Sequence, residues 1–181
     1  MIPVYQKVFD KGRGDCFNAA LASILDLKYE DVPAFITEAA DFGQPHRWDK
    51  ALRVWLYALG FRLHIVAWKD FRDWRGLKGA FALLSVPSQR FPGGSHAVVC
   101  TWIPEGNGSA MRIVHDPCPS NVPYPINVEP TFVKFLVPLS PARLFFSEDL
   151  ERAKELARSV IRAPLNNEIS QHVVTDSCGD S

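Results

Sequence analysis

Apolar and polar positions follow a helical period early in the chain and a strand period after the midpoint. Phe17, Ala20, Leu21, Ile24 and Leu27 recur at three- and four-residue intervals, which predicts an amphipathic helix over 16–27 with Asp15 as its N-cap. Residues 28–32 read as a short turn or helix stopped by Pro33, and 34–47 read as a loop marked by Gly43 and Pro45. Trp48, Leu52, Trp55, Leu56 and Leu59 form a second helical stripe, ended by Gly60. Strand patterns then follow over 62–68, 80–86, 96–102, 111–114 and 132–137, with turns at Pro92-Gly93-Gly94 and at 105–109. Residues 71–75 fit neither period, and 117–130 read as a proline-rich loop. Ser147, followed by Glu148 and Asp149, opens a last helix over 147–162 on the stripe Leu150, Ala153, Ala157, Val160 and Ile161. Residues 1–15 read as an extended lead-in with a turn at Gly12 and Gly14. Helices first and an antiparallel-looking sheet afterwards predict an α+β domain, with N-terminal helices packed on the sheet. The domain is expected over 1–163, with a flexible tail at 164–181.

Composition narrows the class. With 181 residues, 47% apolar and 22% charged, the chain is long enough and apolar enough to bury a core. Lys plus Arg and Asp plus Glu each number 20, so no bulk field attracts nucleic acid or an anionic membrane, and neither is expected as a partner. The neutral total conceals an asymmetry. The tail carries Glu168, Asp176 and Asp180 and no Lys or Arg, so it is −3 and the body is +3. The N-terminal segment lacks a signal-peptide core, and no apolar run reaches membrane-spanning length, so a cytoplasmic protein is expected. In that setting Cys16, Cys100, Cys118 and Cys178, none in a C-x-x-C pair, are expected as free thiols.

Four residues carry candidate chemistry. Cys16 opens the first predicted helix, whose positive end favours an anion; it is either an activated nucleophile or a small buried residue at a helix entrance. His96 heads a strand just after the glycine turn, where it serves as a general base or as a sheet-edge histidine held by backbone. Asp116 follows the next strand, either orienting an imidazole or sitting solvated in a turn. If 96–102 and 110–114 form a hairpin, antiparallel pairing brings His96 and Asp116 to the same end of the sheet. Gln6, on the lead-in, is either an oxyanion donor beside the Cys16 N–H or an exposed polar residue.

Gln6, the run Gly14-Asp15-Cys16-Phe17-Asn18-Ala19-Ala20-Leu21-Ala22-Ser23-Ile24-Leu25, and Val32-Pro33 together resemble papain-like cysteine peptidases. The likeness is to the C39-like branch and to a group of bacterial and phage proteins. Ser95-His96-Ala97-Val98-Val99 and Val114-His115-Asp116-Pro117 resemble that group's histidine and aspartate blocks. The resemblance implies a papain-like α+β fold with Cys16 as nucleophile, His96 as base, Asp116 as orienter and Gln6 as oxyanion donor. It implies a thiol hydrolase, a peptidase or amidase acting on a peptide, protein or small amide through a thioester. The same residues would serve an acyltransferase or deamidase, and a phage or bacterial interaction module could keep the fold with little turnover.

The remaining candidates have plainer explanations. His115, Cys118, His46 and His64 show no tight second ligand pair, so neither a metal nor another cofactor is expected. Trp48 and Trp55 are expected in the core, while Trp68 or Trp74 is the aromatic candidate for a cleft wall. Arg47, Arg53, Arg62, Arg72, Arg75 and Arg90 read as solvated surface. Cys100 reads as buried and inert, and Cys118 as partly exposed near the site. The cleft walls are expected from 34–47, 86–95 and 117–130.

Overall fold

The computed structural model describes residues 1–9, 14–71, 79–106, 108–118, 129–139 and 147–164. Its helices are α1 (Cys16–Leu25), α2 (Phe35–Asp41), α3 (Trp48–Ala58), α4 (Trp68–Phe71) and α5 (Ser147–Arg162). Its strands are β1 (Phe61–Ala67), β2 (Phe81–Pro87), β3 (Ser95–Glu105), β4 (Gly108–His115) and β5 (Phe132–Pro138). The strands form one five-stranded sheet in the order β1-β5-β2-β3-β4, with every pairing antiparallel. The architecture is therefore α+β. No helix among the described residues is long and apolar enough to cross a membrane.

Strand alternation builds two cores, one on each face of the sheet. Leu63, Leu83, Ala97 and Val99 point toward α1, α3 and α5, where they meet Leu21, Leu52, Trp55, Leu56 and Ile161. Ala82, Leu84, Val86, Val98, Cys100, Trp102 and Val133 point the other way and pack with Phe71 of α4. There Phe71 meets Trp102 and Phe135 edge-on or tilted, at ring distances of 5.4 and 5.1 Å. Burial on both faces explains why 80–86 reads as a near-continuous apolar run rather than an alternating one.

The helical stripes translate directly into α1, α3 and α5. α1 ends two residues before its stripe does, because Asp26 turns left-handed (φ 54°) and its N–H bonds back to the Ala22 and Ser23 carbonyls. Gly60 takes φ 86°, a conformation that L side chains resist, and this stops the chain just past α3. The predicted loop over 34–47 is instead α2 followed by a short 3₁₀ turn at Pro45–Arg47. α2 has only 7 residues, too few for a periodic stripe; its apolar anchors are Phe35 and Ala39, one turn apart and fully buried. The 105–109 loop is tighter than expected, since β3 and β4 pair down to Glu105 and Gly108. The ambiguous 71–75 stretch beyond Phe71, most of the 117–130 loop and the tail from 165 lie outside the described residues.

Arg47 departs from its expected solvated surface. It is 3% exposed, and its guanidinium donates to the carbonyls of Val160 and Ala163, satisfying the C-terminal end of α5. This contact binds the last helix to the turn that precedes α3.

Candidate active site

The lead-in is held against α1 and the end of β4 by a series of specific contacts. Asp15 sits at the N-cap position of α1, but its side chain makes no cap bond. Its carboxylate instead accepts the Lys7 and Val8 N–H groups at 3.0 and 3.1 Å and the Tyr29 hydroxyl. Burial, reinforced by this carboxylate, pushes the Tyr29 phenol above its ordinary range. Further along, the Val4 N–H donates to Ser23 Oγ and the Gln6 N–H to the Pro117 carbonyl, both at 2.9 Å. His115 Nε2 donates to the Val4 carbonyl at 2.8 Å, with Tyr5 edge-on to its ring. His115 is thus an anchor for the lead-in.

These ties hold Gln6 in the same cleft as the first residue of α1. Gln6 is only 9% exposed, so it is not the exposed polar residue that position alone allows. It lines one cleft together with Cys16, His96 and Asp116. Its Nε2 donates to the Val8 carbonyl at 3.1 Å, and a side-chain amide nitrogen carries a second hydrogen. Cys16 is partly exposed at the head of α1, where first-turn N–H groups have no intrahelical acceptor.

His96 comes from the other side of the cleft. Gly93 takes φ 75° in the turn before β3, and the Gly94 N–H donates to the Phe91 carbonyl at 2.8 Å. The turn delivers His96 as the second residue of β3. β3 and β4 pair antiparallel with an irregularity between Val99 and Cys100, and Asp116 emerges just past His115 at the same end. His96 Nε2 lies 2.7 Å from Asp116 Oδ1, which also accepts the Cys118 N–H at 2.8 Å. The imidazole hydrogen-bonds Cys16 as well. Burial lowers the His96 pKa, but the hydrogen bonds and charges of Asp116 and Cys16 outweigh it and hold the ring at about 9. An imidazole held between a thiol and a carboxylate can take the thiol proton and later return it to a departing group.

Around this contact chain lies a cavity of about 890 Å³, large enough for a small ligand or a few residues of a peptide. Its walls are mostly apolar, with Phe9, Phe17, Ile36, Trp48, Phe91 and Phe132 prominent. The expected wall segment at 86–95 contributes through Ser88–Phe91 and Gly94–Ser95, whereas 34–47 contributes Ile36 alone. Trp55 is fully buried in the core, as expected, and Trp48 packs against that core while also lining the cleft; Trp68 packs on Phe71 behind the sheet; Trp74 lies outside the described residues. Arg90 reaches the rim over the Phe9 ring, at 4.7 Å. Cys118 lines the cleft but is 8% exposed rather than partly open, because its N–H is drawn in toward Asp116. Cys100 is buried in the rear core, and that burial pushes its thiol up to about 12.

One cleft residue escaped the sequence reading. Lys134, mid-strand in β5, lies on the cleft floor and donates from Nζ to Ser85 Oγ. Its ammonium is 5.6 Å from the Phe17 ring centre. Burial pulls its pKa down to about 8, against the opposing pull of Cys16 and Asp49. A signal existed: in Phe132-Val133-Lys134-Phe135-Leu136, period two puts the lysine on the same face as Phe132 and Leu136.

The chain matches no protein-family model, no curated protein and no solved structure.

Proposed function

We propose that the protein is a papain-like thiol hydrolase that cleaves a peptide or small amide bond through a thioester on Cys16. One observation carries this reading: the His96 imidazole bridges the Cys16 thiol and the Asp116 carboxylate inside a largely apolar cleft. A nucleophile at a helix start, packed against an antiparallel sheet whose strand supplies the base, also supports the papain-like form of the α+β fold. Free cysteines at 16, 100 and 118 suit a reducing, cytoplasmic setting.

The chemistry runs in two halves. With the ring held at about 9, His96 carries the proton it shares with Cys16, so Sγ attacks the carbonyl carbon from an ion pair and the C=O π pair moves onto oxygen. The Cys16 N–H and the second hydrogen of Gln6 Nε2 are the donors for that oxyanion. As the C=O bond re-forms, the C–N bond breaks and His96 gives its proton to the departing amine, leaving an acyl thioester. Water then attacks the thioester and gives a proton to His96. Sγ leaves as the acid departs, and the proton taken from water stays on His96, restoring the ion pair. Asp116 keeps Nε2 protonated throughout, so Nδ1 is the nitrogen that exchanges protons with sulfur.

The test is pre-steady-state hydrolysis of p-nitrophenyl acetate with peptide mapping. A burst of nitrophenol stoichiometric with protein, an acetyl group on Cys16, and loss of both in Cys16→Ala are expected. His96→Ala should slow the burst by about 10²–10⁴-fold. A Cys16 that is never acetylated and reacts no faster than a free thiol would overturn the reading in favour of a binding role.

A further inference from the structure

We propose that Lys134 is the specificity-determining residue of the cleft, and that the acyl donor carries a carboxylate on an otherwise apolar stem. The inference rests on the thiol-hydrolase reading and deepens it, since it names what the substrate presents to the cleft floor.

Three observations carry it. First, the position has no packing reason to be charged. Lys134 shares its strand face with Phe132 and Leu136 and pairs in register with Leu83 and Ile65, so an apolar side chain would fill the site at less desolvation cost. Second, among the described residues its ammonium bonds only a hydroxyl, Ser85 Oγ, and has no carboxylate within ion-pair distance. Asp49 also lines the cleft, but its carboxylate is engaged by Arg53 Nε at 2.7 Å. A partly buried ammonium with no carboxylate in contact among the described residues is an unfinished interaction, and a ligand carboxylate would complete it as a charge-assisted hydrogen bond. Third, the cation stands at the reacting end of the cleft. It lies over Phe17, the residue after the nucleophile, and is electrostatically coupled to Cys16. Among the described lining residues the other cations are His96, whose charge is engaged by Asp116, and Arg90, which sits exposed at the rim, stacked on Phe9, where solvent screens its charge.

The burial that marks Lys134 also lowers its proton affinity, so an anionic ligand would hold the ammonium protonated. A lysine that merely propped Phe17 or Ser85 would not discriminate between a charged and a neutral ligand of one shape. Charge discrimination is therefore the readout.

The experiment compares two thiol-directed probes, 3-maleimidopropionate and its neutral amide, which differ only in a charge a few atoms beyond the reacting carbon. Second-order rate constants for Cys16 are measured on the full chain, with 2-mercaptoethanol, an uncharged thiol, as the reference. The wild type should prefer the anion relative to 2-mercaptoethanol. Lys134→Met should cut the anion-over-amide ratio by about tenfold, and Lys134→Arg should retain it. Circular dichroism reports whether each variant is folded, and the arginine variant keeps the test open if methionine disrupts the fold. An anion-over-amide ratio equal to that of 2-mercaptoethanol in the wild type, or unmoved by Lys134→Met, with Cys16 still fast toward both probes, overturns the role of Lys134 and leaves the hydrolase reading standing. A Cys16 no faster than 2-mercaptoethanol toward either probe overturns the hydrolase reading, and this inference with it.

Discussion

His96 is the residue whose environment says most about the site. Buried and unpaired, a histidine would titrate below 6.5; between Asp116 and Cys16 it titrates at about 9. The consequence for stability follows by linkage. A raised folded-state pKa contributes stability that is fully present below 6.5 and is lost as pH rises through about 9. Histidine C–H NMR should therefore place the His96 transition near 9, and Asp116→Asn should move it down toward 6.5. The stability gap between wild type and Asp116→Asn, from urea unfolding, should be largest just below 6.5 and shrink toward 9. A His96 transition at the ordinary value in both proteins would mean that the 2.7 Å contact does not hold the charge.

At the scale of elements, the lead-in matters as much as the helices. Its described residues belong to no sheet, yet backbone bonds to Asp15, Ser23 and Pro117 hold Gln6 in the cleft. Asp15 makes the largest single contribution, accepting two backbone N–H groups and a phenol. Asp15→Ala should destabilise the fold by about 2 kcal/mol, the usual cost of removing a charged acceptor from part-buried donors. It should also speed amide exchange at Lys7 and Val8 and slow acetylation of Cys16 as Gln6 drifts. Unfolding titrations and exchange NMR test the first two, and burst kinetics the third. Unaltered exchange at both amides would show that Asp15 does not tether the lead-in.

For the whole molecule, the sheet separates two kinds of work. Its helix-side face holds the larger core and opens into the cleft, whereas its rear face is sealed by Phe71, Trp102 and Phe135 without reaching Cys16. Phe71→Ala should cost about 3–5 kcal/mol, because a fully buried aromatic leaves a cavity that a sheet cannot collapse. Alkylation of Cys16 in the folded variant should stay within about twofold of wild type, since packing faults on the rear face are distant from the cleft. Denaturant midpoints and iodoacetamide rates measure the two effects; a large change in the second would show that the faces are coupled.

What the chain carried in its own pattern were the elements with enough residues to repeat. α1, α3 and α5 each offer a stripe over several turns, and the strands each offer alternation or a continuous apolar run, so local period located them within a few residues. The hairpin of β3 and β4 was likewise local, and with it the meeting of His96 and Asp116. Tertiary structure alone decided the rest. α2 is too short to show a period. Sequence could not show that β5 inserts between β1 and β2, because strand order depends on which faces bury together rather than on which strands are adjacent in the chain. That insertion carries Lys134 to the cleft floor, within reach of Ser85, a residue 49 positions earlier. A lone lysine in an apolar strand reads the same whether it ends in solvent or beneath a nucleophile; the packing of distant segments makes the difference.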